Sequence, residues 1–378
     1  MRGVELLCVK IGIPRSLFYY KFISFWEKFF AELGAEVVVS EQTNKRILDD
    51  GVRACVDEAC LPIKIFYGHV INLKNRVDYI LVPRFTSISK KEYICPEFGG
   101  LPDMIRHTLK DLPCLIDTEV NLRNSKRGGL KAAIQTGAIL GVDRRTAVRA
   151  YKSALEFGDG SHKSAVGGSS ISGDGSHKSA GGGSLISGDG SHISTVGGNS
   201  NQSEKVEKRP QSEKVEKRPQ SEKVEKRPQG CHRVAVIGHP YNIYDRYISM
   251  DLLGKLSKYG VEARTIEMVE EAEINAQAAA LEKPMFWNYG RMAYGAALHM
   301  AKAGMIEGFI CVTSFGCGID SFVNDLIERS IRRKYNIPFI TMTIDEHTGE
   351  AGFNTRLEAF VDMLRWRSRN ENHISAFG

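Results

Sequence analysis

Seventy-three residues in the middle of this chain, Gly158 to Gly230, consist of two tandem repeats and little else. The first block returns every 15 residues, as Gly158–His162, Gly173–His177 and Gly188–His192. The second repeats Ser-Glu-Lys-Val-Glu-Lys-Arg-Pro-Gln three times from Ser203 to Gln229. Neither carries enough apolar side chains to offset the entropy of ordering, so the segment reads as a disordered surface insertion. His162, His177 and His192 are its metal-binding candidates, but the glycine–aspartate pattern lacks the nine-residue calcium-repeat spacing. A short charged helix broken at each Pro is the alternative for the nonapeptides. The insertion holds 14 of the 37 glycines, and without it the net charge falls from +6 to +4. What remains is two stretches, 1–157 and 231–378, each long enough to bury a core of its own.

Both stretches alternate strand and helix patterns. In the first, Cys8–Ile13 is an apolar run closed by Pro14, and a helix capped by Ser16 carries Phe22, Phe25, Trp26, Phe29 and Phe30 to Gly34. Glu36–Val39, Tyr79–Val82 and Cys114–Ile116 read as strands. Thr43–Asp50 reads as a short helix stopped by Gly51, with further helices over Ile63–Leu73, opened by Pro62, and Leu101–Leu109. In the second, strands are expected at Val234–Ile237, Val261–Ile266, Phe309–Val312 and Ile337–Met342. Helices are expected at Ile243–Leu256, Phe286–Lys302, Ser321–Lys334 and Gly352–Arg365. This order implies α/β lobes, each a doubly wound parallel sheet, with a site in the cleft between them.

Several function classes drop out. No run approaches 18 apolar residues, so no membrane span is expected. The run Val4–Val9 is too short, and broken by Glu5 and Lys10, to read as a signal peptide. Basic residues are scattered, which gives no prompt for nucleic-acid binding. There is no phosphate loop and no Gly-x-Gly-x-x-Gly after a first strand, so neither ATP nor NAD is expected on this chain. Eight cysteines without an export signal point to a reducing cytoplasm and to thiols, metal ligands or redox groups.

The placement of the cysteines carries the most information. Cys60 precedes the helix that Pro62 opens. Cys95, in Tyr-Ile-Cys-Pro, follows a strand and leads to a helix start. Cys317 lies between a strand and a helix capped by Asp320 or Ser321. All three loops run into helix N-termini, where free N–H groups favour a thiolate or a sulfide. Thiolates from both lobes meeting in one cleft would suit an iron–sulfur cluster. The spacing matches neither common ferredoxin pattern, and no Cys-x2-Cys pair argues for zinc, so ordinary buried thiols remain the alternative. Cys55 is a further candidate. Its five-residue offset from Cys60 would put it on another helix face, so joint ligation needs a loop. Cys8, Cys114, Cys231 and Cys311 read as structural. The segment Asp345–Glu350 and the residues Asn242, Tyr244 and Asp245 are acid–base or ligand candidates with a polar-loop alternative. His69 and His299 read as core or surface residues within helices.

Several of these segments together resemble a known family. They are Val9–Leu17, Ala59–Lys64, Phe66–Val70, Phe85–Lys90, Tyr93–Pro102, Ser314–Phe322 and Thr343–Gly352. The chain resembles the acyl-CoA dehydratase activase-related proteins, relatives of the 2-hydroxyacyl-CoA dehydratase and benzoyl-CoA reductase subunits and of the double-cubane iron–sulfur proteins. The resemblance implies two flavodoxin-like lobes and a [4Fe–4S] cluster, or a double-cubane assembly, on Cys60, Cys95 and Cys317. It implies an ATP-hydrolysing activase as electron donor, a CoA thioester as the molecule acted on, and assembly with itself or a second subunit. Three thiolates would leave one iron open to the thioester carbonyl, and a fourth from Cys55 would close it. An electron-relay subunit, or a cluster-free small-molecule binding protein, are the alternatives. Met1–Cys8 precedes the usual family start, and the repeats look like a lineage-specific insertion.

Overall fold

The chain has to bury four short parallel strands in each half, and it does so by covering both faces of each sheet. The computed structural model describes residues 9–125, 127–165 and 231–375. The N-terminal lobe runs β1 (Lys10–Ile13), α1 (Tyr19–Glu32), β2 (Glu36–Val39), α2 (Lys45–Ala54), α3 (Leu61–Leu73), β3 (Tyr79–Leu81), β4 (Arg84–Ser87), α4 (Pro96–Thr108), β5 (Cys114–Ile116), β6 (Glu119–Asn121), α5 (Arg127–Ile139) and α6 (Arg144–Ala165). The C-terminal lobe runs β7 (His232–Ile237), α7 (Pro240–Ile243), α8 (Leu252–Lys258), β8 (Val261–Thr265), α9 (Glu271–Ala278), α10 (Asn288–Lys302), β9 (Gly308–Ser314), α11 (Gly318–Tyr335), β10 (Phe339–Ile344) and α12 (Glu350–Ser375). Cys8, His177, His192 and the repeats beyond Ala165 lie outside the described residues, as does the side chain of His162.

The first sheet has the order β2-β1-β3-β5 and the second β10-β9-β7-β8, with every pair parallel. Alternation along the strands sends side chains to opposite cores. Val234 and Val236 of β7 enter one cluster while Ala235 and Ile237 enter the other. Ile80 and Leu81 of β3 divide in the same way. Cys311 lies in a core cluster with no exposed surface, as a structural thiol would. These are two mixed α/β lobes with parallel, doubly wound sheets, and their strand order reverses between the first and third strand of each sheet. That reversal is where open α/β sheets place ligands.

The sequence pattern misplaces several boundaries, each for a local reason. Helix α1 begins after Phe18 rather than at Ser16, because Leu17 adopts a left-handed backbone with φ of 52°. The expected helix Ile243–Leu256 is two helices, separated by left-handed Met250 and Asp251. Helix α4 starts at Pro96, not Leu101, and α11 is capped by Cys317 rather than by Asp320 or Ser321. Strands β4 and β6 form a small parallel pair that the pattern does not reveal.

The sequence pattern stops α2 at Gly51, but the helix runs through it to Ala54. The glycine is there for contact. A Cβ on Gly51 would lie 1.9 Å from the Lys64 carbonyl oxygen, and one on Gly68 would lie 1.9 Å from that of Ile47. Two backbones that close leave no room for a side chain on either helix. Gly68→Ala should therefore cost about 3 kcal/mol or more, as backbone overpacking does. Gly349→Ala, with open space at its Cβ position, is the control. Urea unfolding midpoints of the two variants check this.

Both lobes belong to one unit, and a buried polar chain joins them. Arg15 N–H donates to Ser40 Oγ at 2.8 Å, which leaves the Ser40 hydroxyl to donate to His69 Nδ1 at 2.8 Å. Thr43 Oγ1 donates to Asp245 across the lobes and so accepts from His69 Nε2 at 3.0 Å. His69 is thus a neutral imidazole with its proton on Nε2. Burial, helped by Arg15, pulls its pKa down to about 3. A lowered folded-state pKa means that the stability it contributes is intact above the unfolded value, near 6.5, and is lost as pH falls from there toward 3. Between pH 6 and 5, above most carboxylate titrations, wild type should lose stability up to about 1.4 kcal/mol per pH unit faster than His69→Gln. Unfolding curves across that window read the slope.

Candidate functional site

Helix α3 begins at Cys60, α4 at Cys95 and α11 at Cys317, so each cysteine is the residue from which a helix starts. Pro62 and Pro96 fix the first turns of α3 and α4, where a missing N–H costs nothing. None of the three side chains closes a capping hydrogen bond. Their sulfurs nevertheless lie near the backbone N–H groups of Ile63, Glu97 and Asp320.

The fold brings these three thiols together. Gly316, left-handed with φ of 83°, presents its Cα to Cys60, so that a Cβ there would lie 3.6 Å from Cys60 Cα. The loop before Cys317 thereby meets the start of α3. Cys60 and Cys317, and Cys317 and Cys95, are near enough that a thiolate on one would oppose a thiolate on the other. Tyr241, buried in the N-terminal core although it belongs to α7, has all three cysteines among its electrostatic neighbours. Cys55 is placed differently. It is the C-cap of α2, buried in the N-terminal core against which Cys60 and Cys95 also pack, and the charged groups near it are Lys64, Glu97 and Asp57. Cys114 is exposed on β5, and Cys231 donates to the His232 carbonyl at 3.8 Å.

Two carboxylates lie against the thiols. Cys60 Sγ donates to Glu97 Oε2 at 3.3 Å, and Cys95 Sγ lies 4.0 Å from the same oxygen. Asp320, only 3% exposed, is beside Cys317. Burial first, then Glu97, pushes the Cys60 thiol far above its ordinary value, and burial with Asp320 does the same to Cys317. Burial pushes Cys95 and Cys55 up to about 11. A nucleophilic cysteine needs the opposite environment. These groups become thiolates when a cation replaces the proton, and coordination supplies that. Among the described residues no three His, Cys, Asp or Glu side chains are set as ligands of a single metal ion. Thiolates around a multi-iron cluster each bind a different iron and so stand farther apart than ligands sharing one ion. The donor set, three soft sulfurs from both lobes, fits such a cluster in its chemistry.

Other residues at the site escaped the sequence reading. His239 follows β7, the N-cap of α7. Its ring stacks between Tyr241, at 4.7 Å, and Tyr289, at 3.6 Å between centroids. Its Nε2 lies 3.2 Å from Asp320 Oδ1, close enough for an ion pair but off hydrogen-bond geometry. The signal was present: His239-Pro240 repeats the pattern of Cys95-Pro96, a polar residue after a strand and before a helix-opening proline. Of the acid–base candidates, Asp245 accepts from Thr43 and, at 3.0 Å, from Tyr20, and so ties the lobes together. Asp345 accepts from the His347 N–H at 2.9 Å and from Thr348 Oγ1, the arrangement of a polar capping loop.

Comparison with known families gives a match over residues 10–172 and 196–269 to the family described as the CoA enzyme activase uncharacterised domain (DUF2229). The chain belongs to this family. The match covers more than half of the sequence and includes Cys60 and Cys95, while Cys317 lies beyond it. It relates the chain to activase-type proteins and gives no support to kinship with the dehydratase subunits themselves. No curated protein matches the chain. No helix of the described residues is long and apolar enough to cross a membrane.

Lys64, in α3 four residues after Cys60, is nearly buried and donates to Glu346 at 2.6 Å across the lobes. Glu346→Ala leaves that ammonium uncompensated and should cost about 3–5 kcal/mol. The double variant Lys64→Met, Glu346→Ala should recover most of the loss. Denaturant midpoints for the two variants measure the difference.

Proposed function

We propose that this chain is an iron–sulfur protein of a CoA-enzyme activation system, with Cys60, Cys95 and Cys317 as ligands of a [4Fe–4S] cluster. In this reading it takes low-potential electrons from an ATP-hydrolysing activase and performs, or supports, reduction or dehydration of a CoA thioester. The observation that carries the reading is the meeting of three thiols, from three helix starts and both lobes, beside Tyr241. Membership of an activase-type family supports the setting, and the free cysteines among the described residues fit the cytoplasm.

When bound, such a cluster supplies one-electron transfer at low potential. The chain's residues supply the surroundings. Helix N-termini at all three cysteines aim N–H groups toward the sulfurs, which favours the reduced, more negative state. Gly316, with its left-handed backbone, permits the turn that brings the Cys317 loop against the start of α3. Tyr241, His239 and Tyr289 stack as an aromatic wall on the Asp320 side. A second reading draws on the family description: the chain itself stands on the activating side and delivers electrons to a CoA enzyme. Mixing the reduced protein with each candidate partner, and following which one bleaches, separates donor from acceptor.

The full chain, reconstituted anaerobically, should be brown and carry iron and sulfide. Cys317→Ala and Cys60→Ala should lower the iron content severalfold, while Cys114→Ala should leave it unchanged. Colourless, iron-free wild-type protein after reconstitution would reject the proposal.

A further inference from the structure

Resting on that reading, the geometry points to Glu97 as the fourth ligand of the assembly held by Cys60, Cys95 and Cys317. Its Oε2 lies between two of the three thiols, 3.3 Å from Cys60 Sγ and 4.0 Å from Cys95 Sγ. Among the described residues these thiols are its only hydrogen-bonding partners, and no ion pair with a basic side chain balances its charge. A half-buried carboxylate facing only two weak S–H donors is poorly satisfied. With the thiol protons replaced by iron, the same oxygen faces a cation and becomes a hard, charged donor beside three soft ones.

The fold holds Glu97 there from both directions. Phe98, the next residue, is buried in the N-terminal core and fixes the rotation of α4. Arg84 grips the other side of the first turns, donating to the Gly99 carbonyl and, at 2.8 and 2.9 Å, to Asp103. On the opposite flank, the Tyr93 N–H donates to the Phe286 carbonyl and the Asn288 N–H to the Tyr93 carbonyl, both at 2.8 Å. These bonds anchor the loop that carries Cys95 to the C-terminal lobe.

The two competing fourth ligands are less well placed. Asp320 stands by Cys317, with its Oδ1 3.2 Å from His239 Nε2 but not hydrogen-bonded to it, whereas Glu97 Oε2 faces two of the three thiols. Cys55 packs into the N-terminal core, against which Cys60 and Cys95 also pack, but among the described residues no hydrogen bond joins it to Glu97 or to another cysteine. Ligation by Glu97 would close the iron that three cysteines leave open. The site would then pass electrons rather than bind a thioester carbonyl, and a carboxylate ligand is exchangeable where a thiolate is not.

The test uses the full chain, reconstituted anaerobically, as wild type, Glu97→Gln, Glu97→Ala, Glu97→Cys and Cys55→Ala. Each is titrated briefly with ferricyanide and followed by iron content and EPR. The inference expects wild type and Cys55→Ala to keep the [4Fe–4S] form. Glu97→Gln and Glu97→Ala should lose about one iron in four and develop the [3Fe–4S] signal. Glu97→Cys should restore resistance. Circular dichroism confirms that the variants are folded, and the near-isosteric Gln change limits packing effects. Identical behaviour of Glu97→Gln and wild type, or an oxidation-labile cluster in Cys55→Ala alone, overturns the assignment of Glu97. Absence of iron from wild type overturns the cluster reading beneath it and is recognised before any variant is compared.

Discussion

Helix α3 is buried on every face, and most of the structure follows from that. Eleven of its 13 residues are buried. Ile63, Phe66, Tyr67 and Val70 enter the N-terminal core, while Leu61 and Ile65 enter the C-terminal one. A helix that is apolar all round has no solvent face to give up. It must therefore be wrapped by both lobes, with α2 close against it through Gly51 and Gly68. The one charged residue inside that wrapping, Lys64, finds Glu346 in the other lobe. Cys60, at the head of this helix, is thereby held in the cleft by the two cores at once.

Around that fixed point the electrostatics have a single direction. Carboxylates at Glu97 and Asp320, together with burial, oppose negative charge on the sulfurs, while helix N-termini favour it. Alone, the first effect wins and the groups stay protonated. Positive charge reverses the balance, and then carboxylates, thiolates and N–H groups all become favourable partners of one centre. The same residues that make poor nucleophiles make a coherent ligand set.

Much of this was legible in the sequence, because β-branched runs between helical patterns are what a parallel sheet covered on both faces requires. The strands around Glu36, Cys114 and Phe309 lie where the pattern puts them, and Cys60, Cys95 and Cys317 lie where loops run into helix N-termini as read, although α4 and α11 start earlier than the pattern puts them. What stayed hidden depends on tertiary contact. Gly51 looks like a stop until the helix crossing it is seen. The Met250–Asp251 break comes from left-handed backbone that two ordinary residues do not announce. Strands β4 and β6, three or four residues each, are too short to show a period. Glu97 precedes the helix that the pattern starts at Leu101, and only the earlier start of α4 and the approach of α3 set it beside the sulfurs.

The two lobes look like separate modules because a repeat insertion divides them in the chain. The burial of α3 says otherwise. A fragment ending before the repeats would expose Leu61 and Ile65, strand the Lys64 ammonium, and free the Cys95 loop from its backbone partners at Phe286 and Asn288. Insertions can lengthen the connection with little thermodynamic cost, since closure entropy grows slowly with length. Separating the halves is a different operation. The chain can tolerate growth between its lobes for the same reason that it cannot tolerate division there: the lobes are held together by what they share, not by the segment that links them.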